Sequence, residues 1–245
     1  MTDKQWTTYT MKVDGLDREV RFTDEAVNNV FLPFIKKLNE LHARIGRRVV
    51  AYLAAPPAAG KTVVAQFIEK LSRERAEYTN IRALGVEGFL YSNTYMDAHF
   101  AVVDGSTIPM KMIKGAPETY DVDTMQDKIR EVRLGGAYWP VYDRGIDDIV
   151  PDMDEVDDEI ILIEGRYLLL RNAKWTNIRV LADYTVYIEG EVDDLRRRRM
   201  EEVVPHEGIN DGRNMELVIN TSGASSETWT LTSDGDYIRS TTDVD

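Results

Sequence analysis

The stretch RRVVAYLAAPPAAGKTVVAQFIEKL, residues 47–71, constrains the fold more than any other part of this chain. Its first third is a short run of apolar and β-branched residues that stops at a proline pair, the pattern of a buried strand. Its last third repeats apolar residues at Val63, Val64, Phe67, Ile68 and Leu71, which share one face of a helix. Strand, small-residue loop and amphipathic helix in direct succession open a βαβ unit. The theme recurs in IRALGV (81–86), EIILIEG (159–165) and YTVYIEG (184–190), separated by helical or irregular segments. Such alternation predicts the α/β class, with a mostly parallel sheet covered on both faces.

The flanks read differently. TYTMKVDGLDREVRF (8–22) alternates in part around Asp14-Gly15, a hairpin turn signal, and ETWTL and DYIRS flank SDGD near the other end. Thr23 or Asp24 can cap a helix carrying Val27, Val30, Phe31, Phe34, Leu38 and Leu41 on one face, with a kink or restart expected at Pro33. We therefore expect an N-terminal hairpin and helix over 1–47, a central domain over 48–220, and a closing hairpin over 221–245 packed on that same domain.

Composition narrows the function. The formal net charge of -13 argues against a general nucleic-acid binder, which needs Lys and Arg to neutralise phosphates. No run of eighteen apolar residues suggests a membrane span, and the first residues lack the apolar core of a signal peptide, so a cytoplasmic protein is expected. The chain has no cysteine, hence no thiol nucleophile, thiolate metal site or disulfide. The acidic run DDIVPDMDEVDDE (147–159) reads as a solvated loop without chemistry. Positive charge gathers locally in LRRRRM (195–200).

A loop such as APPAAGKT (55–62) can bind phosphate because successive backbone N–H groups at a helix N-terminus surround its oxygens and the helix dipole favours negative charge. Pro56 and Pro57 have no N–H to give, so the cradle must come from Ala58, Ala59, Gly60, Lys61 and Thr62. Lys61 would reach the β- and γ-phosphates, and the Thr62 hydroxyl would ligate Mg²⁺. Ala55 stands where such loops usually begin with glycine, which is tolerable if its φ is negative. Two carboxylates come just after predicted strands, Glu87 after IRALGV and Glu164 at the end of EIILIE, at the edge where open α/β sheets bind ligands. Either could organise Mg²⁺, and Glu87 could accept a hydroxyl proton. Arg196, Arg198 and Arg199 cannot all share one helical face, and one or two of them could swing over a transferred phosphate.

Taken together, APPAAGKT, EGFLYSNTYMDAH, KGAPETYDV, WPVYDR, IEGRYLLL and LRRRRM succeed one another as in the P-loop kinases grouped with phosphoribulokinase, uridine kinase and bacterial pantothenate kinase. The resemblance covers roughly residues 48–220, and the N-terminal hairpin and helix resemble those of a bacterial nucleoside/nucleotide kinase-like subgroup. It implies a three-layer P-loop NTPase fold and transfer of the γ-phosphoryl of ATP, with Mg²⁺, to a hydroxyl of a small metabolite: pantothenate-like, nucleoside, or sugar or polyol. It further implies Lys61 and Glu87 as catalytic groups, Arg196 and Arg198 in a lid, Thr62 and Glu164 near the metal, and Tyr91, Asn93, Lys114, Glu118, Tyr142 and Arg144 around the acceptor. A homodimer fits the same expectation. The chain departs from the family pattern at Ala55, Ala58, Glu87 (usually aspartate) and Val203 (often arginine). Those departures keep open a second reading, a nucleotide-binding regulatory protein or degenerate kinase without metabolite turnover.

Overall fold

Strand β3 (Val49–Ala54) lies at the centre of the molecule with every residue buried. Its side chains divide by parity: Val49, Ala51 and Leu53 enter one apolar cluster, Val50, Tyr52 and Ala54 the other. Strand β9 (Ile160–Gly165) divides the same way, Ile160 and Leu162 to one side and Ile161 and Ile163 to the other. A strand buried on both faces needs this unbroken apolar run, which is why the sequence shows no polar alternation here. In this computed structural model, which describes residues 4–172, 174–201 and 225–240, the two strands are the middle of a six-stranded sheet.

The sheet order is β12-β11-β10-β3-β9-β4, with β4 spanning Ile81–Gly85, β10 Tyr184–Gly190, β11 Ser225–Leu231 and β12 Tyr237–Ser240. All neighbours pair in parallel except β11 and β12. One face is covered by helices α2 (Leu32–Ile45) and α3 (Lys61–Arg73), the other by α5 (Val122–Leu134) and α6 (Trp175–Arg179). Three layers result, as the fold class requires. The closing hairpin forms, and its first strand also runs beside β10 as a strand of the central sheet.

At the other end β1 (Trp6–Val13) and β2 (Leu16–Thr23) make a separate hairpin in continuous register. Tyr9 and Phe22 seat it on α3 through Phe67, with ring centroids 4.7 and 4.3 Å apart. The Thr23 side chain caps α1 (Asp24–Ala26) by accepting from the Ala26 N–H. The expected irregularity at Pro33 appears as a π-helical turn, Val27–Phe31, between α1 and α2. Proline cannot supply the usual helical donor, and the wider turn just before it absorbs the loss.

Two hairpins were not anticipated. One joins β5 (Phe100–Val103) to β6 (Ser106–Pro109), after the short helix α4 (Asn93–Ala98). The other joins β7 (Ala137–Asp143) to β8 (Asp148–Val156), and it corrects the reading of 147–159 as a solvated loop. The register shifts between Trp139 and Val141, so Pro140 falls at an irregularity where no ladder donor is needed. Three acids of this run are engaged in ion pairs: Asp154 with Arg82, Asp152 with Lys128 at 3.1 Å, Asp158 with Arg73 at 3.0 Å.

Asp183, at the entry to β10, ties three elements together. It accepts from both Arg47 Nη groups at 3.0 and 2.7 Å, from Arg133 at 3.1 Å and from the Val50 N–H at 3.0 Å. Burial opposes its charge, but these donors outweigh burial and hold its pKa below the ordinary 3.8. A depressed folded pKa means that the stabilisation is present above about pH 4 and is lost as pH falls through the folded value. Asp183→Ala is expected to cost about 2–4 kcal/mol at pH 7, since it leaves the partly buried Arg133, the Val50 N–H and the exposed Arg47 without their acceptor. The gap in melting temperature between variant and wild type should narrow at pH 3; an equal gap at both pH values would show that the charge contributes nothing.

Candidate active site

Parallel pairing brings the candidate residues together. Leu53 of β3 and Gly85 of β4 both lie opposite Glu164 of β9, so the loop after β3, the turn after β4 and the Glu164 carboxylate meet at the carboxyl edge of the sheet. The loop after β3 turns with the Ala59 N–H on the Pro56 carbonyl at 3.4 Å, then enters α3 at Lys61. That removes Ala59 from the expected set of donors. The N–H groups of Ala58, Gly60, Lys61 and Thr62 donate to no described residue. They are the open end of a thirteen-residue helix and the loop before it.

The backbone shows which alanine departure matters. Ala55 is fully buried and stays out of the left-handed region, whereas Ala58 has φ +61 and Gly60 φ +76. An L-residue in the left-handed region is strained by roughly 1–2 kcal/mol, and a buried methyl is favourable. The two substitutions should therefore have opposite signs. Ala58→Gly should raise the melting temperature by about 1–3 °C after the entropy of the unfolded glycine is offset, and Ala55→Gly should lower it by a similar amount. Thermal unfolding of the two variants side by side checks this; a gain for both or a loss for both contradicts it.

Glu87 opens a 3-10 turn, Glu87–Phe89, directly after β4. The turn is fixed by β7: Trp139 Nε1 donates to the Gly85 carbonyl at 2.8 Å, and a Cβ at Gly88 would lie 2.1 Å from the Pro140 oxygen. Only glycine permits that approach. Lys61 Nζ then lies 3.9 Å from Glu87 Oε1 and 3.8 Å from Glu164 Oε2, and Thr62 Oγ1 donates to Glu164 Oε1 at 2.9 Å. On the far side, Arg144 Nη2 is 3.5 Å from Glu87 Oε2, while its Nε donates to Asp14 Oδ2 at 2.9 Å.

The two carboxylates are driven apart electrically. Burial works against the Glu87 charge, but Lys61, Arg144 and Arg166 together outweigh it and hold its pKa below the ordinary 4.5. Burial dominates at Glu164 and, with the Glu87 charge beside it, raises its pKa to about 7 against the opposing pull of Lys61 and Thr62. Glu164 Oε2 is buried and accepts no hydrogen bond from the described residues. An orphaned carboxylate oxygen next to a threonine hydroxyl is the oxygen donor set that suits Mg²⁺. Among the described residues no group of three or more His, Cys, Asp or Glu could hold a metal by itself, so such an ion would take its remaining ligands from phosphate and water.

The acceptor residues implied by the resemblance separate into groups. Arg144 and Tyr142 line a cavity of about 1050 Å³ together with Asp14, Thr62, Glu87 and Glu164; Tyr91, Asn93, Lys114 and Glu118 are outside its lining. Asn93 and Lys114 form a cluster beside it: Lys114 Nζ donates to Asn93 Oδ1 and to the Asp147 carbonyl, both at 2.9 Å, and lies over the Tyr142 ring. The Tyr142 hydroxyl donates to Asp147. Tyr91 stacks on Tyr95, which stacks on His99. Glu118 is half-buried in a 3-10 turn, Pro117–Thr119.

Three arginines of the run have contacts on their own helix or on the C-terminal hairpin. On α7 (Val192–Glu201), Arg196 is exposed and pairs with Asp193 at 3.4 Å, and Arg197 pairs with Asp194 at 2.7 Å. Arg198 Nη2 lies against the β11–β12 turn, 3.0 Å from where a Cβ at Gly235 would stand. Val203 lies outside the described residues. Sequence reasoning missed two groups that reach the centre. Arg166, 9% exposed and two residues after Glu164, places its charge on Glu87; an arginine inside the apolar run IEGRYLLL was the available signal. Asp14 read only as a turn residue, and no local signal tied it to Arg144.

Comparison with known proteins gives the same picture. The chain is 30% identical over 239 residues to the uncharacterized protein YggC of Escherichia coli (strain K12), covering 93% of this chain and 97% of that one. It is 23% identical over 212 residues to the pantothenate kinase of Yersinia pestis (strain Pestoides F), covering 76% of this chain and 64% of the enzyme. Among solved structures, YFH7 of Saccharomyces cerevisiae, a candidate P-loop-containing kinase with a circular permutation, superposes with TM-score 0.62 at 13% identity, over 81% of this chain and 99% of its own. A candidate fructose transport system kinase of Silicibacter sp. TM1040 gives 0.56 at 20% identity, over 69% and 84%. At these identities the structures establish the fold alone, the three-layer P-loop NTPase fold with helices on both faces of a mostly parallel sheet. The model of the phosphoribulokinase/uridine kinase family matches residues 50–203, more than half of the sequence, and the chain belongs to that family.

Proposed function

We propose that the chain is an ATP-dependent kinase that phosphorylates a hydroxyl of a small metabolite. The observation that carries this is the triangle of Lys61, Glu87 and Glu164 beside the open N–H groups of the phosphate loop. The acceptor hydroxyl oxygen bonds to the γ-phosphorus, the bond from that phosphorus to the β,γ-bridging oxygen breaks, ADP leaves, and the hydroxyl proton passes to Glu87. Lys61 offsets the charge on the phosphates. Thr62 and Glu164 would hold Mg²⁺, which when bound with the nucleotide neutralises charge on the β- and γ-phosphate oxygens. Arg144 and Arg166 keep Glu87 ionised and ready to take the proton. Arg196 and Arg198 serve as lid residues only if α7 swings toward the loop.

The acceptor classes in view are pantothenate-like compounds, nucleosides, and sugars or polyols; pantothenate kinase and the fructose transport system kinase candidate stand among the similar proteins. A mass-spectrometric screen of a metabolite mixture with ATP and Mg²⁺ tests the proposal, and the expected result is one product heavier by a phosphoryl group. Nucleotide binding without any phosphorylated product across a broad panel would favour the regulatory or degenerate-kinase reading instead.

A further inference from the structure

The phosphate loop is held from the C-terminal side by a residue that the reaction itself does not use. The Tyr237 hydroxyl donates to the Ala59 carbonyl at 3.0 Å. The same oxygen lies 2.4 Å from where a Cβ on Gly60 would stand. Gly60 is thus required twice, by its φ of +76 and by the phenol above it.

The phenol has a firm base. Its ring lies among Phe22 and Phe31, with centroids 6.1 and 5.8 Å away, and its backbone N–H donates to Asp236 Oδ1 at 2.9 Å. Asp236 is itself buried, accepts from Thr23 Oγ1 at 2.7 Å and pairs with Lys4 at 3.0 Å. Tyr237 is therefore anchored to the N-terminal hairpin and helix, independently of the loop it touches.

A trans peptide carries its C=O and the next N–H on opposite sides of one plane. Fixing the Ala59 carbonyl against Tyr237 turns the Gly60 N–H to the other side, where it donates to no described residue. This matters more here than in a glycine-rich loop. Two prolines carry no N–H and the Ala59 N–H faces Pro56, so of the five residues expected to form the cradle four still offer an N–H, and Gly60 is one of them.

We propose that Tyr237 is a positioning residue that orients the Ala59–Gly60 peptide for a nucleotide phosphate and so sets the affinity for nucleoside di- and triphosphates. The inference rests on the reading of the loop as the nucleotide site. Calorimetry on the full chain with Mg²⁺ and either ADP or a non-hydrolysable ATP analogue tests it. Tyr237→Phe keeps the ring and loses the hydroxyl; nucleotide binding should weaken 3- to 10-fold, more than any purely structural role would move it, while the melting temperature changes by about 3 °C or less. A melting temperature that falls with unchanged affinity overturns the proposal. A double-mutant cycle gives an independent measurement: Gly60→Ala should weaken binding less in the Tyr237→Phe background, where the phenol oxygen is gone, and strict additivity overturns the coupling. Lys61→Ala separates the two failures. If Lys61→Ala weakens nucleotide binding and Tyr237→Phe does not, only the role of Tyr237 falls; if neither does, the nucleotide site falls with it.

Discussion

Lys61→Ala should reduce turnover by about 10³-fold or more and weaken the binding of Mg²⁺–ATP, as loss of a preorganised charge at a transferring phosphoryl group does. Two functions of the ammonium end together. As the proposed phosphate contact it would offset charge on the β- and γ-phosphates, and it stands between two carboxylates at 3.9 and 3.8 Å. Without it, Glu87 and Glu164 face each other across a site with one fewer cation, which pushes the pKa values of both upward. Part of the ionised form that each needs at neutral pH is then lost. Lys61→Arg should not restore the rate, because a planar fork cannot replace a compact ammonium between two carboxylates. Steady-state ADP release and calorimetry with a non-hydrolysable analogue measure the two effects separately. An alanine variant with wild-type kcat and wild-type KM for ATP would show that the phosphates do not bind at this loop.

The same geometry explains which residues could be read in advance. Strands β3 and β9 are buried on both faces, so their sequences are continuous apolar runs, and a carboxylate at the end of such a run must stand at the sheet edge. Glu87, Glu164, Lys61 and Thr62 were legible for that reason: parallel strands all deliver their carboxyl ends, and the loops beyond them, to one sheet edge. The β7–β8 hairpin was not, because Pro140 interrupts one strand and acids fill the other, and only pairing makes either a strand. The contacts of Asp14 with Arg144 and of Tyr237 with Ala59 cross 130 and 178 positions. Nothing local in a DG turn or in a short C-terminal run announces such a partner. The arginine run is a strong local signal of another kind: the fold sets Arg196 and Arg197 beside Asp193 and Asp194, and Arg198 beside the β11–β12 turn.

Glu87→Gln should lower kcat by roughly 10²- to 10⁴-fold, the usual range for loss of a general base. Glutamine keeps the size of the side chain but cannot take the acceptor proton. Nucleotide affinity should change little, since Glu87 meets the loop only through Lys61 at 3.9 Å. The comparison with aspartate is sharper. The Glu87 backbone is fixed by β7 through Trp139 and the glycine at position 88, so the turn cannot shift to compensate for a shorter side chain. Glu87→Asp withdraws the carboxylate from Arg144, now 3.5 Å from Oε2, while the contact of Arg144 with Asp14 remains. If the longer side chain is matched to its acceptor, the aspartate variant is slower, and a displacement near an ångström is enough for about 10²-fold. A faster aspartate variant would mean that the glutamate marks a decayed site and would favour the regulatory reading. Undiminished turnover in Glu87→Gln, measured with the acceptor found in the metabolite screen, would remove Glu87 from the mechanism and leave Glu164, raised to about 7 and already near neutral, as the group to test next.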